Sequence, residues 1–327
     1  MERYSIFTEK SSGVNPFLLS PYECWLPFGF FLIILRVPLI IFFSVLLFPL
    51  EYFACLLETC VPSLGSVLRK YFVSTIARAL LFSLGFHAGC LSQIQLRKEA
   101  VTIRPPPRLT APSPKGEVFL VNQTSWLDSL VVLSCRGCAW GALDDGGGLR
   151  RVSHTSAVLN YFCGRASSTR APSTTTRLTG CPSIAIQPEG APTNGKAILT
   201  CVPGLGRLGG SLASLPPSTP RPTFFVLALH YALGVGKFSP CFLAASSPWY
   251  HLLCLLSQPY SKVTLYSLPS SFDPQPSDDL VGGNWATAVG SSWEQLLRGH
   301  GVKVVEWDLS THRKFVEMAG EGSKKVA

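Results

Sequence analysis

From Trp25 to Leu50 the chain is apolar except for one charge, Arg36. A run of this length could span a bilayer, which takes about 20 helical residues. A central arginine costs roughly 2.5–3.5 kcal/mol there. Pro38 lies two residues on and pushes Val37 away from helical geometry. Each arm, Trp25–Val37 and Pro38–Leu50, would be only about 20 Å long as a helix, against a hydrocarbon core of about 30 Å. The pattern predicts a membrane hairpin over residues 25–57 that enters and leaves one face, with a single transmembrane helix as the alternative. Next, Val67 to Phe86 is apolar but carries Arg69, Lys70 and Arg78. Within residues 63–103 it reads as an amphipathic helix, either on a lipid surface with its cations toward head groups or packed on the following domain.

Beyond Arg104–Lys115, a Pro-rich linker, the pattern changes. Short apolar runs at Glu117–Asn122, Ser183–Gln187, Thr223–His230 and Lys262–Leu268 read as strands. Helices are predicted from Asp128 to Cys135, Ala286 to Arg298 and Ser310 to Ala319. Strands alternating with helices place residues 117–327 in an α/β class. Two stretches do not fit. Residues 136–180 are rich in Gly, Ser, Thr and Arg, and residues 212–222 in Ser and Pro. Both read as irregular loops or as translated non-coding sequence.

Composition narrows the class. Hydrophobic residues make up 47% and charged residues 14%, with a mean hydropathy of +0.29 and a net charge of +9. That suits a globular domain tied to a membrane. Lys and Arg are scattered, without the aromatic-interleaved stripe of a nucleic-acid surface, so no nucleic acid is expected. Residues 1–24 mix Glu2, Glu9 and Glu23 with Arg3 and Lys10, unlike a cleaved signal peptide. Positive residues concentrate after the apolar segment, which favours a cytosolic C-terminal domain. The 11 cysteines are odd in number, and several (Cys55, Cys60, Cys90, Cys201, Cys241, Cys254) lie in apolar runs, as reduced thiols do. Cys135 and Cys138 form a CxxC without a second pair, so no metal site is expected.

The chemistry-bearing residues cluster in two polar loops. Asn122-Gln123-Thr124-Ser125-Trp126-Leu127-Asp128 follows the first strand, and Pro188-Glu189-Gly190 follows the second. Loops at the carboxyl ends of strands are the usual place for a site in an α/β sheet. The first loop resembles the N-H-x-x-x-x-D motif of the glycerolipid (lysophosphatidate) acyltransferase superfamily. Glu189-Gly190-Ala191-Pro192-Thr193-Asn194-Gly195-Lys196 resembles that family's Glu-Gly-Thr signature. The N-terminal run MERYSIFTEKSSGVNPFL and the tail WDLSTHRKFVE resemble the fungal branch, found on endoplasmic reticulum and lipid droplets.

The resemblance implies a mixed sheet flanked by helices. It implies acyl transfer from acyl-CoA, a co-substrate rather than a bound cofactor, to a lysophospholipid hydroxyl. Asp128 would take the motif's Asp position, and Gln123 stands where the family has its His. Glu189 and Gly190 would bind the acceptor's phosphate region. Asn122, Ser125, Asn194 and Lys196 complete the expected substrate-binding set. A glutamine amide cannot take a proton, so a general-base contribution of roughly 10²–10⁴-fold is missing at that position. Asp128, with an ordinary carboxyl pKa of about 3.9, would be a poor base unless its site raises it. The alternative is a catalytically weak or inactive adaptor on the same scaffold. A third reading, a P-loop at Gly190–Lys196, fails because Ala197 replaces the Mg²⁺-binding Ser/Thr and Pro192 removes a backbone donor.

Overall fold

The structure is a computed structural model that describes residues 2–18, 28–87, 91–96, 101–103, 116–143, 148–162, 183–213, 222–233, 238–241, 248–268 and 284–324. The expected linker at 104–115 and residues 163–182 and 214–221 lie outside these.

An eight-stranded mixed sheet forms the centre, in the order β2-β1-β9-β8-β3-β6-β4-β5. Its strands are β1 (Leu91–Leu96), β2 (Val101–Ile103), β3 (Glu117–Val121), β4 (Ala139–Leu143), β5 (Leu149–Val152), β6 (Ile184–Ile186), β8 (Thr223–Ala232) and β9 (Lys262–Ser267). A separate short pair joins β7 (Ala197–Ile198) to β10 (Lys303–Val304). Strands β8, β3, β6 and β4 run parallel, whereas β9 is antiparallel to β8. The parallel strands are covered on both faces, as their continuous apolar runs require. Alternation along β3 sends Phe119 and Val121 to one core and Val118 and Leu120 to the other. The first core also takes residues of α1 (Gly29–Cys60), α3 (Ser74–Ser83), α4 (Asp128–Arg136) and α7 (Pro248–Ser257). The second takes residues of α6 (Pro203–Ala213) and α8 (Asn284–Leu297).

Four expectations are corrected. The break at Val37–Pro38 is absent: α1 is one helix of 32 residues that contains Pro38 and Pro49. Docking holds it through the proline. The Arg36 guanidinium donates to the carbonyls of Leu256, Gln258 and Pro259 at 2.8, 2.5 and 2.9 Å. It thereby satisfies acceptors left over at the end of α7. Further along the same face, Glu51 accepts from the backbone N–H of His154 at 2.5 Å and of Thr155 at 3.2 Å, opening α5 (His154–Phe162). Glu58 pairs with Arg69 at 2.9 Å and with Arg151. The inward stripe of α1 is therefore Gly29, Arg36, Leu47, Glu51, Ala54 and Glu58. Its outward surface is hydrocarbon: Phe30, Phe31, Ile34, Leu35, Phe42, Val45 and Phe53 are all exposed.

The 63–103 region is helix only as far as Ser83, through α2 (Pro62–Leu68), a π turn at Arg69–Val73 and α3; β1 and β2 follow. Its cations do not reach outward together. Arg69 is 2% exposed, and Arg78 donates to the Ser134 carbonyl at 2.7 Å. Arg69 is taken up by Glu58 of α1, and Arg78 ties α3 to the end of α4, so these helices pack inward.

Residues 136–162 are not irregular throughout. Gly137, at φ 61°, ends α4 where a Cβ would meet the Lys70 Cα at 2.8 Å. It turns the chain into the β4–β5 hairpin and then α5. Among the described cysteines, Cys55, Cys60, Cys135, Cys138, Cys201 and Cys241 are free. Cys254 is disulfide-bonded, contrary to expectation. No cluster of three metal-binding side chains occurs among the described residues.

Candidate active site

Strands β3 and β6 are parallel neighbours, so the loops that follow them emerge at the same sheet edge. The first loop is fixed before it reaches Asp128. The Asn122 amide donates to the Leu229 carbonyl at 3.1 Å and accepts from the Leu229 N–H at 2.6 Å. This extends the β3–β8 pairing through a side chain. The Ser125 hydroxyl donates to the Pro240 carbonyl at 2.8 Å.

Asp128 is the first residue of α4 and is 1% exposed. One carboxylate oxygen accepts from the backbone N–H groups of Thr124 and Ser125 at 2.8 and 2.9 Å and from the Gln187 amide at 2.9 Å. The other accepts from the Thr124 hydroxyl at 3.3 Å and the Tyr231 hydroxyl at 2.8 Å. Burial pushes the Asp128 pKa up to about 6, against the lowering effect of these donors. The environment thus brings the carboxyl into the range where a base can work near neutrality.

Glu189 is also 1% exposed. Its two oxygens accept from the backbone N–H of Gln123 at 2.7 Å and of Leu199 at 2.9 Å. Burial, helped by the Asp128 charge, raises its pKa to about 8. Consecutive backbone donors of one loop, Gln123 and Thr124, therefore reach the two buried carboxyls. Residues 66 apart in sequence are joined directly, and the two motif loops form one unit. Gln123 is 5% exposed, and its side-chain Oε1 has no hydrogen-bond partner. A buried acceptor left open is uncommon in folded proteins and marks a position where a ligand donor would fit.

The second loop turns at Gly190, whose φ is 72° and where a Cβ would lie 2.9 Å from Val202. Asn194 faces the N-terminal segment: its amide donates to the carbonyls of Asn15 and Leu18, each at 2.8 Å. Lys196 is exposed. Sequence reasoning missed Thr124, Gln187 and Tyr231 as partners of Asp128. Gln187 was readable as the polar end of a strand; Tyr231 carried no local signal. The histidines nearest the motifs in sequence have other surroundings. His154 contacts the Cys138 carbonyl at 3.0 Å, His230 stacks on His300 at 3.7 Å, and His87 meets Phe82 edge-on at 4.8 Å.

No family model and no curated protein matches the chain. Among solved structures, the 1-acyl-sn-glycerophosphate acyltransferase PlsC of Thermotoga maritima is similar at 12% identity, over 78% of this chain and 95% of that one, with a TM-score of 0.30. An overlay this loose carries no weight for function.

Proposed function

We propose that the chain is a membrane-associated glycerolipid acyltransferase. It would move an acyl group from acyl-CoA to a lysophospholipid such as lysophosphatidate, on the cytosolic face of endoplasmic reticulum or lipid droplets. The observation that carries this reading is the open Gln123 Oε1, buried beside a loop whose next residues deliver two backbone donors to Asp128. The oxygen can accept a hydrogen bond from a donor group of the bound substrates and so hold the reactants beside Asp128. Positioning of this kind supplies roughly 7–11 kcal/mol in favourable cases, and a thioester is already activated. Glu189 holds the second loop against the first; Asn122 fixes the first loop to β8, and Ser125 ties it to the Pro240 carbonyl.

The membrane part of the reading is supported by α1, the helix among the described residues that is long and apolar enough to cross a bilayer. Its outward face, with Leu64, Val67, Tyr71, Phe72 and Phe82 of the neighbouring helices, is exposed hydrocarbon. Apolar patches of this extent are rare on soluble monomers.

One observation favours the adaptor reading. The Asp128 carboxylate already takes five hydrogen bonds from the protein, and Gln123 cannot hold a proton. The deciding experiment is acyl-CoA turnover by the purified full chain with lysophosphatidate in vesicles. Turnover that falls at least 100-fold in Asp128→Asn supports the enzyme, a loss typical for a residue in proton transfer. Absent turnover with intact vesicle binding supports the adaptor.

A further inference from the structure

Acyl transfer to an alcohol must remove the hydroxyl proton, and the residues expected to do so do not suffice. Gln123 is an amide. Both oxygens of Glu189 are held by backbone N–H groups. Asp128 is ringed by donors, three of them from the first motif loop and one from Gln187, just past β6. The fifth, the Tyr231 hydroxyl at 2.8 Å, comes from β8, beyond the last paired residue of β3. Of the donors on Asp128, Tyr231 and Thr124 alone are hydroxyls. A hydroxyl oxygen can accept a new hydrogen while it gives up its own, which a backbone or amide N–H cannot do. The Thr124 contact is the longer, at 3.3 Å, so Tyr231 is the better-coupled relay.

The geometry points to Tyr231 as a catalytic residue that passes the substrate's hydroxyl proton to Asp128. The inference rests on the acyltransferase reading above. The alcohol oxygen forms the new C–O bond at the thioester carbon, and its proton moves to the Tyr231 oxygen. The Tyr231 hydrogen moves at the same time to Asp128 Oδ1. The C–S bond then breaks, and its electron pair leaves on the CoA sulfur. The proton on Asp128 returns through Tyr231 to that thiolate, so the products are an ester and CoA thiol and the protein is unchanged. The elevated Asp128 pKa suits a group that must both take and return a proton. The dyad is a Tyr–Asp counterpart of a His–Asp pair, assembled from residues 103 apart.

The test is steady-state turnover of the full chain in vesicles, comparing the native protein, Tyr231→Phe, and protein carrying a fluorinated tyrosine at position 231. The fluorinated ring keeps the size and the hydrogen bond but is a stronger acid. The expected result for Tyr231→Phe is a fall in kcat of about 100-fold with KM within about twofold, the loss of a proton-transfer group. Fluorotyrosine is expected to move the alkaline limb of the kcat profile to lower pH, because an ionised ring cannot donate to Asp128. Unchanged kcat in Tyr231→Phe, or an unmoved limb with fluorotyrosine, overturns the relay while leaving the acyltransferase standing. Absence of turnover in the native protein overturns both.

Discussion

At the scale of single residues, the site is defined by what its carboxyls are tied to. Gln123 leaves a buried acceptor without a partner, so introducing a titratable ring there is the direct probe of the proposed chemistry. Gln123→His is expected to raise kcat by roughly 10²-fold or more, measured as acyl-CoA turnover. An unchanged rate would show that position 123 does not face the reacting hydroxyl. Glu189 has a different consequence. Its folded pKa, about 8, lies above the usual carboxyl value of about 4.3. The stability it contributes is therefore complete below about pH 4 and is lost as pH rises through about 8. Asp128 adds a loss of the same sign as pH rises through about 6. Urea unfolding is expected to show stability falling between about pH 5 and pH 8 on this account. Glu189→Gln should flatten that slope. It should also cost about 1–3 kcal/mol, because one of the two backbone N–H groups then meets an amide donor. A slope that persists in Glu189→Gln would assign it to other groups.

At the scale of elements, the charged stripe of α1 fixes the helix more specifically than its apolar surface does. Glu58 serves two arginines, Arg69 and Arg151. Glu58→Ala leaves both without that partner and is expected to cost about 3–5 kcal/mol, read from the unfolding midpoint. A cost under about 1 kcal/mol would mean that the pairing is solvated. This stripe also shows where sequence reasoning stopped. The central strands and α4, α8 and α9 (Leu309–Lys324) were legible, because hydrophobic period and flanking polar residues are local signals. The continuity of α1 was not: Pro38 signalled a break, and the Arg36 partners lie 220 residues or more away. The β4–β5 hairpin was hidden by loop-like composition around Gly137. The two motif loops were visible as sequence, but Tyr231 and the Asn194 contacts to Asn15 and Leu18 arise only from the folded arrangement.

At the scale of the whole molecule, the features fall into an ordered sequence from the apolar outer surface of α1 to the sheet. Hydrocarbon side chains of α1 face outward and its charges face inward, where α7 takes up Arg36, α5 takes up Glu51, and Arg69 and Arg151 take up Glu58. Removing apolar anchors should therefore weaken attachment without unfolding the domain. Phe31→Ser together with Phe42→Ser, both at exposed positions, is expected to lower partitioning onto phosphatidylcholine vesicles by about 100-fold or more, at about 1.5–3 kcal/mol per ring. Flotation measures the loss, and unaltered flotation would place the contact surface elsewhere. The inward stripe sets a limit on engineering as well. A generic greasy tail grafted in place of α1 could keep the protein on a membrane, yet it would strand the carbonyls that Arg36 now satisfies and the amide groups that Glu51 caps. Such a chimera would be moored but mis-seated, because α1 is a structural member of the domain as well as its most apolar surface.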